Sequence, residues 1–224
     1  MIATGLTFAT KRNFFLLIST IALGSAYGQD VPWEFAQDKE GIEVYTRQPG
    51  GSKFKEFKGI TEIKLSLHSA IALLTDVNTM PEWVSDCEST KLIEKKENKV
   101  IYHMVIGVPF PFDDRDMVQE LTFIYDKETR NMEINLGQND EIMDPLRGVV
   151  RMPVSVGKWT FEHLGKEKYR VTFEYLSDPG GALPAWLVNP FLIRMPYKTL
   201  LNFKERVNYP QYKSAYFDWL GATK

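Results

Sequence analysis

Alternating apolar and polar positions dominate the second half of the chain. Between Tyr169 and Tyr175 every second residue is aromatic or aliphatic, and the residues between them are Arg, Thr and Glu. A period of two predicts a strand with one buried and one exposed face. Similar runs bounded by turn residues predict further strands over residues 42–47, 54–63, 90–95, 100–108, 116–125, 132–136, 149–156 and 158–163.

Helical spacing appears first in the segment 65–77. Leu67, Ile71 and Leu74 are separated by four and three residues, which places them on one face of a helix. A second, short helix is predicted to start at residues 78–81 and to carry Trp83 and Val84. Residues 33–38 are also predicted to form a short helix.

The longest helical pattern lies near the C-terminus, from Ala185 to about Val207. Its apolar stripe follows four-residue steps and contains one small hydroxyl, at Thr199. Pro190 and Pro196 interrupt the stripe, so we expect a kink or a looser first turn. The predicted order is a strand pair, short helices, a run of antiparallel strands and this long helix. Because only the last helix is long enough to cover the sheet, the pattern predicts an α+β fold with a curved antiparallel sheet wrapped around it.

The N-terminus has a different character. Lys11 and Arg12 precede an uncharged run from Asn13 to Ala26, and small residues stand at Ala26 and Gly28. This arrangement predicts a signal peptide over residues 1–28, with export to a periplasm or the cell exterior after cleavage near Gly28. The alternative is a transmembrane anchor, but the run is shorter than the ~20 apolar residues that span a bilayer. Residues 29–224 then form one domain.

Composition narrows the chemistry. The 224 residues carry 27 basic and 29 acidic side chains, for a net charge of −2, which argues against a nucleic-acid partner. Cys87 is the only cysteine, so no internal disulfide can form, and we interpret it as a small buried hydrophobe rather than a nucleophile. The three histidines are far apart in sequence and match no metal-binding pattern. We therefore expect no metal, no other cofactor and no catalytic residues.

Several segments resemble one known family. Residues 109–116 are similar to the Pro-rich turn and Arg-Asp step of START (StAR-related lipid-transfer) domains, and Gly157-Lys158-Trp159 to their Gly-x-Trp strand opening. The segment 178–189 resembles their Asp-Pro-Gly-Gly-x-x-Pro-x-Trp-Leu approach to the C-terminal helix. The resemblance covers residues 31–213 and implies a helix-grip fold with an internal tunnel. It also implies an apolar ligand such as a sterol, phospholipid or ceramide.

The sequence also predicts which residues line the ligand site. Arg115 shares parity with Met117 and Leu121, so it should face inward, and the resemblance implies that it lies in the tunnel beside a carboxylate or a ligand head group. The alternative is a structural salt bridge with Asp113 or Asp116, because a buried guanidinium needs a partner. The full set of predicted ligand residues is Tyr102, Met104, Ile106, Arg115, Met117, Leu121, Phe123, Val171, Phe173, Tyr175, Leu187, Phe191, Met195 and Thr199.

These observations favour a monomeric carrier that buries one lipid or other apolar small molecule and touches a membrane only transiently. Two alternatives remain open. One is a helix-grip enzyme of the cyclase or hydrolase kind, which would need a convergent acid–base pair at the tunnel wall. The other is an interaction domain that holds no small ligand. Sterol-binding relatives carry an acidic residue on the strand before Arg115; the predicted strand 100–108 has none, so the resemblance does not imply cholesterol.

Overall fold

A single large antiparallel sheet forms most of the molecule. The computed structural model describes residues 31–50, 52, 54–181 and 183–221, so the predicted signal peptide lies outside the described residues. Among these residues the strands, in chain order, are β1 (Glu34–Lys39), β2 (Ile42–Arg47), β3 (Glu56–Lys64), β4 (Cys87–Lys96), β5 (Lys99–Ile106), β6 (Arg115–Asp126), β7 (Asn131–Gln138), β8 (Val150–Arg151), β9 (Val154–His163) and β10 (Lys168–Asp178).

The helices are few and unequal in length. Among the described residues none is both long and apolar enough to cross a membrane. The α-helices are α1 (Leu67–Thr75), α2 (Ala185–Arg206) and α3 (Pro210–Lys213), and the short 3-10 helices are Val77–Glu82, Asp140–Ile142 and Asp218–Leu220.

Strands from the early and the late part of the chain are neighbours in the sheet, because β3 pairs with β10. Strands follow one another as β1-β2-β3-β10-β9-β7-β6-β5-β4, with every neighbouring pair antiparallel, and β8 adds a two-residue parallel contact to β6. Helix α2 packs against β2 and β3, and it also faces residues of β5 and β6 across the internal cavity. The sheet must therefore curve around α2, as the predicted α+β helix-grip requires.

Most predicted elements are present, and the alternation in β10 and the long C-terminal helix are confirmed. The predicted helix over residues 33–38 is wrong: this segment is the edge strand β1, which pairs with β2 and has a bulge between Phe35 and Gln37. Because most of β1 is exposed on both faces, it lacks the alternation that reveals a strand. The second short helix is a 3-10 helix that ends at Glu82, before Trp83.

One further boundary differs from the prediction. The break expected near Gly157 lies instead at Met152 and Pro153, and β9 runs without interruption through Gly157. A Cβ at Gly157 would come within 2.3 Å of the Glu174 backbone oxygen, so glycine here permits close pairing with β10. Helix α2 includes both Pro190 and Pro196 within its length.

Candidate ligand cavity

An internal cavity lies between α2 and the concave face of the sheet. Its empty volume, with the open mouth and the solvent there included, is about 1210 Å³. Its wall is almost entirely apolar. Strands β3, β5, β6, β7, β9 and β10 supply one side, and α2 supplies the other.

Aromatic side chains form the part of the wall nearest β9 and β10. The rings of Trp159 and Phe173 stack with their centroids 4.3 Å apart, and Phe57 meets Phe173 edge-on at 5.3 Å. Trp159 also contacts Phe203 of α2, at 5.2 Å between ring centroids. These large side chains are buried and pack in preferred aromatic geometries, so they give the cavity a rigid base.

All but two of the predicted ligand residues line this cavity. They share either the inward parity of a strand or the four-residue stripe of α2. The lining members are Tyr102, Met104, Ile106, Arg115, Met117, Leu121, Phe173, Tyr175, Leu187, Phe191, Met195 and Thr199.

Phe123 and Val171, by contrast, do not line the cavity. Phe123 continues the inward parity of β6, but it lies in a separate groove, where its ring is 6.2 Å from that of Trp219. Val171 is fully buried in the hydrophobic core. Alternation identifies the face of a strand, but it does not show how far along that face the cavity extends. The C-terminal segment around Trp219, which sequence analysis left unassigned, fills this end.

Arg115 is buried at the cavity wall and is held by backbone carbonyls. Its Nε donates to the oxygen of Pro179 at 3.0 Å, one terminal nitrogen donates to the oxygen of Gly180 at 3.2 Å, and the other donates to the oxygen of Asp113. Burial lowers the pKa of Arg115, and the nearby Asp113 and Asp114 oppose that shift. Among the described residues no carboxylate forms an ion pair with it, so the alternative of a structural salt bridge to Asp113 or Asp116 is not observed there.

The carbonyls that hold Arg115 belong to a turn that precedes α2. Gly180 and Gly181 both have positive φ angles, of 63° and 64°, a conformation that glycine adopts without strain. Arg115 therefore ties the start of β6 to the turn that leads into the C-terminal helix.

Asp116 faces the opposite side of the sheet from Arg115. Arg151 donates to both of its carboxylate oxygens, at 2.9 and 3.0 Å, and His103 Nε2 lies 2.9 Å from Oδ2. Burial alone would raise the pKa of Asp116, but the bonds from Arg151 and His103 outweigh it and hold the pKa below its ordinary value. None of the three side chains lines the cavity. The network fastens β8 and the loop before it to β6.

A small polar cluster interrupts the apolar wall. The Nε2 of Gln119 donates to the backbone oxygen and to the Oγ of Ser155, at 2.8 and 2.7 Å. Ser155 Oγ and Tyr175 OH also bond to each other and to the sulfur of Met117. Sequence analysis overlooked Gln119 because it is polar, although it shares inward parity with Met117 and Leu121 on β6.

The segment Trp83–Asp86 also lines the cavity and was not predicted to do so. Thr199, the hydroxyl in the α2 stripe, accepts a hydrogen bond from the Ser85 backbone N–H at 3.1 Å. Arg194 of α2 pairs with Asp86 at 2.6 Å. These bonds fix the loop against the helix, so Thr199 has a positioning role in the wall. No sequence signal identified this loop, because its contacts are long-range.

The remaining reactive side chains are engaged in the fold. Burial raises the pKa of Cys87 to about 12, which keeps the thiol protonated and supports its interpretation as a buried hydrophobe. His68 receives the Phe217 backbone N–H at Nδ1, and its Nε2 lies 3.1 Å from the oxygen of Gly221. Across the described ranges, no three His, Cys, Asp or Glu side chains are grouped so as to hold a metal ion.

Comparisons with known proteins agree with this architecture. A family model described as "Polyketide cyclase / dehydrase and lipid transport" matches residues 63–204. An uncharacterized protein of Pseudomonas aeruginosa is 32% identical over 178 residues, which are 79% of this chain and 86% of the relative. Rat phosphatidylcholine transfer protein is 24% identical over 168 residues, which are 70% of this chain and 75% of that protein.

A solved structure has the same fold. The STAR-related lipid transfer protein from Xanthomonas axonopodis is 26% identical to this chain and superposes with a TM-score of 0.73. The match covers 79% of this chain and 99% of the solved fragment. The similarity therefore extends over nearly the whole domain that encloses the cavity.

Proposed function

We propose that this protein is a carrier that encloses one lipid in its internal cavity. The premise is that the chain belongs to the polyketide cyclase, dehydrase and lipid transport family and has the START-type helix-grip fold. The observation that carries the proposal is the cavity itself, whose wall is apolar almost throughout. Burial contributes roughly 25 cal/mol for each Å² of apolar ligand surface removed from water. Such a wall favours a lipid over a polar metabolite.

The distribution of ionisable groups supports a carrier over an enzyme. An acid–base catalyst needs two convergent titratable groups at the wall. In the described part of the cavity the charged side chains are those of Asp86 and Arg115, and each is engaged by protein partners. The His103–Asp116 pair, which has the right chemistry, lies away from the cavity. The family description includes cyclases, but the described wall offers no such pair of charged groups to favour the cyclase-like alternative over a carrier.

The setting of the carrier follows from two further features. The predicted signal peptide over residues 1–28 supports export, with the lipid shielded from water in a periplasm or outside the cell. Phe110, at the tip of the loop between β5 and β6, is 97% exposed, and Val108 at the base of this loop lines the cavity. An exposed aromatic ring beside the cavity supports a transient membrane contact during lipid exchange. We propose that the carrier works as a monomer.

Native mass spectrometry tests the carrier function. Protein purified from the exported fraction should carry a stoichiometric apolar adduct, which extraction would then identify. The Met195→Glu variant places a charge in the cavity wall and should lose most of the adduct, because burying an unpaired carboxylate is costly. Lys198→Glu is the matched control, since this side chain is exposed on the same helix, and it should keep the adduct.

A lipid-free mass for the wild-type protein, even after incubation with a total lipid extract, would contradict the carrier function. Turnover of an apolar substrate by the wild-type protein would favour the enzyme instead. Retention of the adduct by Met195→Glu would show that the ligand binds elsewhere on the molecule.

A further inference from the structure

One polar atom in the cavity wall has no hydrogen-bond partner. The Gln119 side chain is almost completely buried, and its Oε1 receives no hydrogen bond from the described part of the chain. Its nitrogen fixes the orientation of the amide, because Nε2 donates to the backbone oxygen of Ser155. The Ser155 oxygen can only accept a hydrogen bond. If the amide oxygen and nitrogen of Gln119 were exchanged, two acceptor oxygens would therefore face each other without a proton between them. Oε1 is therefore an open acceptor in the wall.

An open donor lies on the neighbouring strand. Tyr102 of β5 is the direct antiparallel partner of Gln119 of β6, so both side chains rise from the same face and line the cavity. The Tyr102 hydroxyl makes no hydrogen bond to any residue that the structure describes. Burial raises its pKa, so the hydroxyl keeps its proton and can donate it in a hydrogen bond.

The other polar atoms nearby are already engaged. Ser155 Oγ, Tyr175 OH and Met117 Sδ form hydrogen bonds with one another, so each of these atoms already has a partner within the protein. The charged residue of β6 that lines the cavity, Arg115, lies four residues away, or about 13 Å along the strand. This part of the wall therefore offers one neutral acceptor and one neutral donor, on directly paired positions of neighbouring strands.

We propose that Gln119 and Tyr102 together bind a neutral hydroxyl group of the ligand. The ligand O–H donates to Gln119 Oε1, and the ligand oxygen accepts from the Tyr102 hydroxyl. This inference rests on the carrier function and names the class of lipid: an apolar molecule with a free alcohol, such as a diacylglycerol. Phosphatidylcholine has no N–H or O–H donor, so it would leave Gln119 Oε1 unpaired. An unpaired buried acceptor costs free energy, so this lipid should bind less favourably.

The test compares ligands that differ in the donor alone. Binding of dioleoylglycerol, of its methyl ether and of dioleoylphosphatidylcholine is measured by titration with native mass spectrometry. The wild-type protein should bind the alcohol about tenfold more tightly than the ether. Tyr102→Phe removes a hydroxyl that the fold does not use and should weaken the binding of the alcohol and of the ether about fivefold each, because the oxygen of either ligand can accept its hydrogen bond.

Two further variants complete the design. Gln119→Met removes the acceptor and should abolish the preference for the alcohol. Tyr169→Phe is the matched control, because Tyr169 is a buried strand tyrosine outside the cavity, and it should retain the wild-type preference. If Gln119→Met does not fold, because it also loses the bonds to Ser155, the wild-type preference for the alcohol decides the role of Gln119 and Tyr102→Phe decides the role of Tyr102.

The outcomes separate this inference from the function on which it rests. Equal binding of the alcohol and the ether by the wild-type protein would overturn the role of Gln119 and Tyr102, while the carrier function would stand. An unchanged affinity of Tyr102→Phe for the alcohol would remove Tyr102 from the proposal. Failure of all three lipids to bind would overturn the inference, whereas the carrier function would fall only if the protein also stayed lipid-free after incubation with a total lipid extract.

Discussion

Replacing Arg115 with leucine would disconnect β6 from the turn before α2. The guanidinium donates to three backbone oxygens, of Asp113, Pro179 and Gly180, and leucine can donate to none of them. Asp113 is exposed, so water can replace the lost donor there. The oxygens of the other two residues lie in a more buried turn and would lose their partner with little compensation.

The size of the effect follows from these two bonds. A hydrogen bond from a charged donor contributes about 1.5–3 kcal/mol, and the variant also removes the cost of burying the charge. We therefore expect a net loss of about 2–3 kcal/mol in the free energy of unfolding. For a domain of this size, that loss lowers the unfolding midpoint by about 5–10 °C.

Thermal unfolding of the lipid-free protein measures this effect, and amide hydrogen exchange locates it. Exchange should accelerate in residues 178–187, where the turn meets α2. Arg147→Leu replaces an exposed arginine and serves as the control. A midpoint for Arg115→Leu equal to that of the control, with only lipid binding weakened, would refute the structural role and make Arg115 a ligand contact.

Two other substitutions test packing and charge. Gly157→Ala should destabilise the protein by about 3 kcal/mol, because the new Cβ would overlap the Glu174 backbone oxygen. Gly137→Ala is its control: the nearest atom to the new Cβ lies at 3.8 Å, so this variant should unfold with the wild-type midpoint. Asp116→Asn should cost about 2–3 kcal/mol at neutral pH by unpairing Arg151. The pKa of Asp116 is lowered by folding, so its contribution is present above the unfolded value of about 3.9 and is lost as the pH falls through the folded value. The difference between wild type and Asp116→Asn should therefore narrow in melts below about pH 4, and a constant difference down to pH 2 would contradict this assignment.

The fold could be predicted where one face of an element is buried and the other exposed. Strand β10 satisfies this condition and was predicted from its alternation, and α2 was predicted from its apolar stripe. Strand β1 was missed because neither of its faces is well buried, so its sequence carries no period of two. The break between β8 and β9 was misplaced because Gly157 allows close backbone pairing instead of ending the strand.

The cavity was only partly predictable for a related reason. Parity identifies residues that face inward, which is why most of the predicted set lines the wall. Parity does not set the limits of the cavity, so it also selects Phe123 and Val171, which do not line the wall. Two of the three partners of Arg115 are backbone carbonyls supplied by a turn more than sixty positions later, and no pattern of side chains reveals such partners. Gln119 is polar, so a search for apolar inward residues does not find it.

The position of β10 between β3 and β9 fixes an order of events during synthesis. Lys64 of β3 pairs with Lys168 of β10, so the first three strands remain without their central neighbour until the chain has been made almost to its end. Closing so long a loop carries a large entropic cost and slows folding. Because α2 is made later still, a nascent chain has strands but lacks the helix that forms one side of the cavity, so the cavity exists only after α2 has been made.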